Sequence, residues 1–133
     1  MSKQAFAEDI TKMYTEDLGL PAFYVVANFI KLSPEDVWIG GKQKTDKHFI
    51  RIVINHVAYH VPDEDSNYKS ASSRITRVLK PHVIDRGYVS EFHVDETDRR
   101  LWKINGLIPP PFKSEEEKLW AKENRAVVYE GAY

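Results

Sequence analysis

The chain has 133 residues, a formal net charge of -1 and no cysteine. That length suits one domain with a true hydrophobic core, and the missing thiols exclude disulfides, iron–sulfur clusters and cysteine nucleophiles. Acidic and basic residues are interspersed without the basic stripe of a nucleic-acid binder, and neither a membrane-span run nor a signal-peptide pattern occurs.

The opening "SKQAFAEDITKMYTEDLG" reads as helix over roughly residues 3 to 17. Phe6, Ile10 and Met13 share one side, Ser2 is placed to cap it, and Gly19 with Pro21 stops it. "AFYVVANFI" reads as a strand, rich in β-branched and aromatic residues and apolar on both faces. "LSPED" is a turn on Pro34, and "VWIGG" a short strand with a bulge or tight bend at its glycines. "HFIRIVINHVAYHV" is the longest strand signal. Ile50, Ile52, Ile54, His56, Ala58 and His60 alternate with Phe49, Arg51, Val53, Asn55, Val57 and Tyr59.

A second helix is expected from about Ser66 to Arg86, kinked or ended early by Pro81, which lacks the backbone donor a helix needs. "YVSEFHVDE" is another strand and "TDRRLWKING" a short helical turn. "SEEEKLWAKEN" opens a third helix with a Ser114–Glu117 capping box. The layout is α+β, with split β-α-β units and two principal helices covering one face of a sheet. A sheet apolar on both faces would leave the other face seeking a partner, and oligomerisation is the simplest answer.

Few residues mark themselves out for chemistry. His56 and His60 form H-x-x-x-H, but four residues of strand span about 13 Å, too far for one metal ion, so neither a metal nor another cofactor is expected. His82 fits a satisfied core histidine. His93 and Asp95 share a strand face, which suits either an acid–base group or a structural hydrogen bond. Arg99 and Arg100 follow two acids and read as a solvated charge cluster. No phosphate-binding glycine loop or nucleophile elbow is present.

"AEDITKMYTEDLGLPAFYVVANFIKLSPEDVWIGGK", "RIVINHVAYHVP", "FHVDET", "LWKINGLIPPP" and "EKLWAKENRAV" together resemble the fungal branch of the tautomerase superfamily. Its members look like cis-3-chloroacrylic acid dehalogenase and the oxalocrotonate tautomerases. The resemblance implies a MIF-like fold of paired β-α-β units, three subunits around a barrel of sheets, and a small-molecule substrate. Charge and hydropathy lead to the expectation of a cytoplasmic protein with neither nucleic acid nor membrane as partner.

Family members start with a strand whose first residue, after Met removal, is a proline acting as general base or acid. This sequence enters at the family's first helix, without that strand and proline. Alignment places Tyr14 at a substrate-holding histidine, His56 at an arginine, Tyr59 or His60 near a second arginine, and His93 near a water-assisting tyrosine.

The expectations are therefore catalytic roles for His56, His93 and Tyr14, with Tyr59, His60 and Arg51 binding substrate. The enzyme reading is an isomerase or lyase moving protons on a small carbonyl or enol compound. The alternatives are a non-catalytic binding or partner subunit, in a homotrimer or mixed oligomer, and a natural chain that begins with Met-Pro further upstream. In the second, a strand from another chain, the tail "AVVYEGAY" or a shifted neighbour fills the gap left by the absent strand.

Overall fold

The computed structural model describes residues 1–46 and 48–133. Helix α1 (Lys3–Leu18) starts where the Ser2 hydroxyl accepts the Ala5 N–H at 3.1 Å. It ends at Gly19, whose φ of +70° is the left-handed conformation that favours glycine and lets its N–H reach the Thr15 carbonyl. Ile10, Met13 and Tyr14, at i, i+3 and i+4, form its buried stripe.

The "AFYVVANFI" segment departs from expectation. Ala22–Tyr24 is one 3-10 turn, and residues 25–32 run on without joining a ladder among the described residues. Composition sets strand propensity, but a ladder needs a neighbouring strand about 4.8 Å away, and a groove separates this stretch from the nearest strand. The glycine pair does make a tight bend. Gly40 and Gly41, with φ of +61° and +79°, join β1 (Trp38–Ile39) to β2 (Lys42–Gln43) as an antiparallel hairpin.

Strand β3 (Phe49–His56) pairs in parallel with β4 (Val89–Glu96), from Phe49 opposite Val89 to His56 opposite Glu96. The connecting helix α2 (Asp65–Leu79) makes this a βαβ unit. β3 stops at His56, so Tyr59 and His60 lie in the loop beyond the strand expected to hold them. α2 is shorter than its sequence pattern: Lys80–His82 and Ile84–Arg86 continue as 3-10 turns from Pro81 onward.

Ile50, Ile52, Ile54, Phe92 and Val94 face a core built from Ile10, Met13 and Tyr14 of α1 and Ile75 and Leu79 of α2. Both long helices thus cover one face of the sheet. The opposite face is largely exposed and mixed, with Phe49, Val53 and Val89 among Arg51, Asn55, Glu91, His93 and Asp95. Apolarity on both sides belongs instead to residues 25–32, where Val26 is 75 % and Ile30 85 % exposed. His82 is the satisfied core histidine expected, buried with Nε2 2.7 Å from Asp9 Oδ2.

Helix α3 (Glu115–Glu123) carries a second core in which Trp120 is fully buried with Leu107 and Ala132, and its Nε1–H donates to the Val127 carbonyl at 2.8 Å. The Ser114 hydroxyl accepts the Glu117 N–H as a cap should, but Glu117 reaches back to the Lys113 N–H rather than that of Ser114. Arg100 sits in the expected exposed cluster, bound to Asp98. Arg99 does not. Its guanidinium donates to the carbonyls of Ala58, Pro109 and Pro110 at 3.1, 3.2 and 2.6 Å, fastening the loop after β3 to the proline-rich segment.

Candidate functional site

The C-terminal ends of β3 and β4 deliver His56 and Glu96 side by side on the face toward the helices. α1 lays Tyr14 across them. The Tyr14 hydroxyl and His56 Nε2 are 2.6 Å apart and both residues are buried, at 8 % exposure each. Burial pushes the tyrosine up to about 12, partly opposed by the nearby Arg74 cation, so it keeps its proton at neutral pH. A protonated phenol beside a ring nitrogen donates to it.

That fixes the imidazole as the tautomer with its proton on Nδ1. Nδ1 faces Glu96 Oε2 at 3.6 Å, too long for a hydrogen bond but close enough for electrostatic attraction. The same carboxylate oxygen accepts the Val61 N–H at 2.7 Å, which holds it in place. Burial lowers the His56 pKa, with Glu96 pulling the other way and His60 adding to the fall. The outcome is a neutral base hydrogen-bonded to a neutral acid.

The pair lines a cavity of about 100 Å³, with Tyr59, Asn67, Ser70 and Arg74 among the other walls. The Tyr59 ring lies between His56 and Phe112, with centroids at 6.1 and 5.4 Å. Among the described residues, Arg74 makes one ion-pair contact, 3.7 Å from Asp17. Tyr14, His56 and Tyr59 also line the wide groove beside β3, so a molecule larger than the small cavity can still reach them.

Of the sequence candidates, Tyr14, His56 and Tyr59 come together here. His60 turns to the Thr97 carbonyl, 2.7 Å from its Nε2. His93 lies opposite Val53, on the other face of the sheet from His56, and is exposed 3.5 Å from Asp95. Arg51 shares that outer face and binds Glu91. Sequence reasoning did not single out Glu96, Arg74 or Asn67. Asn67, Ser70 and Arg74, at i, i+3 and i+7 on α2, form a polar row beside the apolar stripe, and that spacing was the available signal.

Residues 1–125 match the model of the Tautomerase_3 family, described as "Putative oxalocrotonate tautomerase enzyme". The chain belongs to this tautomerase family. Among solved structures, this tautomerase-family chain is similar to native RhCC from Rhodococcus jostii RHA1, with 38% identity and a TM-score of 0.89 over 96% of this chain and 89% of that one. An alanine variant of RhCC gives 38% identity and a TM-score of 0.90, over 96% and 83%. A chain described as a probable enzyme from the thermophilic fungus Aspergillus fumigatus gives 40% identity and 0.84, over 96% and 86%. No curated protein matches this family member. Among its described residues, no helix is long and apolar enough to cross a membrane.

Proposed function

We infer that this tautomerase-like protein catalyses proton transfer between carbon and oxygen of a small carbonyl or enol compound, with His56 as base and Tyr14 as acid. The observation that carries the reading is the buried 2.6 Å contact between Tyr14 and His56 at the wall of a cavity that also holds Arg74. When a carbonyl oxygen takes over the Tyr14 hydrogen bond, His56 Nε2 is freed to accept a proton from the adjacent carbon. The C–H electron pair becomes the C=C bond, and the carbonyl π pair takes the Tyr14 proton, giving an enol. The imidazolium then returns its Nε2 proton to the tyrosinate across their short contact, restoring both groups.

Arg74 serves the stage at which negative charge sits on oxygen, since it favours the anionic forms of both substrate and Tyr14. Glu96 faces the Nδ1–H and supports the charged imidazole in passing. The test is conversion between the enol and keto forms of an arylpyruvate, followed by ultraviolet absorbance. His56→Ala is expected to lower the enzymatic rate by about 10²–10⁴-fold, the usual scale of a lost acid–base group. An unchanged rate removes His56 from the mechanism.

A further inference from the structure

The chain leaves β3 at His56 and continues through residues 57–61, which make no backbone–backbone hydrogen bond among the described residues. Side chains hold this loop instead. Arg99 donates to the Ala58 carbonyl, His60 Nε2 meets the Thr97 carbonyl, and the Val61 N–H donates to Glu96. The loop carries Tyr59, whose ring lines both the small cavity and the wide groove together with Tyr14 and His56. A molecule seated against the acid–base pair from either side therefore lies beside Tyr59.

Two rings flank Tyr59, and they come from distant parts of the chain. His56 lies with its centroid at 6.1 Å, fixed by β3 and by Tyr14. Phe112 lies at 5.4 Å and belongs to the proline-rich segment. Arg99 bonds to the main chain next to both movable pieces: the Ala58 carbonyl adjoins Tyr59, and the Pro109 and Pro110 carbonyls lead into Phe112. The proline end is a firm anchor, because Pro110 is fully buried and its ring locks φ. The guanidinium itself lies over the Trp102 ring, 5.7 Å from the centroid, which restrains it further.

We propose that Arg99 is a positioning residue for the acid–base site: through the Ala58, Pro109 and Pro110 carbonyls it sets the Tyr59 ring as the wall against which substrate rests. The inference builds on the proton-transfer reading above and adds a residue which that reading does not use. Among the described residues, Arg99 makes no hydrogen bond to Tyr14 or His56, so its effect falls on binding rather than on proton movement. A contact felt equally by bound substrate and transition state raises KM when it is lost and leaves kcat alone.

Arg99→Lys keeps the charge and gives up the spread of donors. In the arylpyruvate assay it is expected to raise KM by about fivefold to tenfold, with kcat within about twofold. The His56 ring titration by NMR should not move, while the nuclear Overhauser contact between the Tyr59 and Phe112 rings should weaken. Tyr59→Leu is expected to raise KM by a similar factor. Adding Arg99→Lys to Tyr59→Leu should then change KM by less than about twofold, since a residue acting through another has no effect once that one is gone.

Should Arg99→Lys fail to fold, the unaltered protein decides. Arylpyruvate at keto–enol equilibrium is expected to shift the Tyr59 ring resonances saturably, and the dissociation constant from that titration replaces KM. An unchanged KM in Arg99→Lys, multiplicative effects in the double variant, a moved His56 titration, or no shift at Tyr59 would each overturn the proposal. The shift without enol–keto conversion by the parent protein would sink the catalytic reading and leave the role of Arg99 standing. Conversion without the shift would do the reverse.

Discussion

Replacing Tyr14 by phenylalanine keeps the ring, its packing and its edge-on contact with His56, and deletes one oxygen. The deletion strips His56 Nε2 of its donor inside a site that is 8 % exposed. A neutral hydrogen bond contributes about 1 kcal/mol, and a buried acceptor left without a partner costs about 1–3 kcal/mol. A loss of about 1–3 kcal/mol in denaturant unfolding follows, with a fall of several degrees in the thermal midpoint. The donated bond also favours the neutral imidazole, so its removal moves the His56 pKa upward, against the lowering that burial imposes. A pH titration of the His56 ring by NMR reads that movement, and the arylpyruvate assay reads the accompanying rate loss of about tenfold or more. If both titration and rate match the parent protein, the short contact controls neither the protonation of His56 nor the chemistry.

Because folding lowers the His56 pKa, the unfolded chain binds the extra proton first, and stability from this group is complete above about pH 6.5 and lost progressively as pH falls below it; urea titrations across that range should show the decline, and His56→Gln should flatten it. Glu117 behaves oppositely: burial raises its pKa, so its contribution weakens as pH rises above about 4.5, and Glu117→Gln, which keeps the acceptor for the Lys113 N–H, should be at least as stable as the parent at neutral pH by chemical denaturation. His93→Ala should leave enol–keto conversion unchanged in the same absorbance assay, since His93 lies on the far face of the sheet. Leu79→Ala, at a position 3 % exposed between helix and sheet, should cost about 2–5 kcal/mol in urea unfolding.

Local rules carried well where local chemistry decides. Ser2, Gly19, Pro81 and Ser114 bounded helices because caps and missing donors act within one turn. The alternation of Ile50, Ile52, Ile54 and His56 put the histidine on one face with the isoleucines, and the helices cover that face. What failed needed information from elsewhere in the chain. Residues 25–32 have strand composition but join no ladder among the described residues, and no local pattern records that. His93 and Asp95 suited either an acid–base group or a structural hydrogen bond; they do lie 3.5 Å apart, but on the outer face of the sheet, away from Tyr14 and His56. His56 hydrogen-bonds Tyr14 on α1, and the carboxylate that faces it is Glu96, forty residues away and legible only once the parallel register of β3 and β4 is known. Arg99 looked solvated from its charged neighbours, although its partners are main-chain carbonyls that no sequence pattern advertises.

The three carbonyls held by Arg99 come from segments on either side of it in the chain, one next to Tyr59 and the others leading to α3. A planar cation with several fixed donors can clasp both at once, which a lysine could not. Loosening this clasp would let the wall of the site and the C-terminal layer come apart in a single step, so their amides are expected to exchange with solvent as one unit.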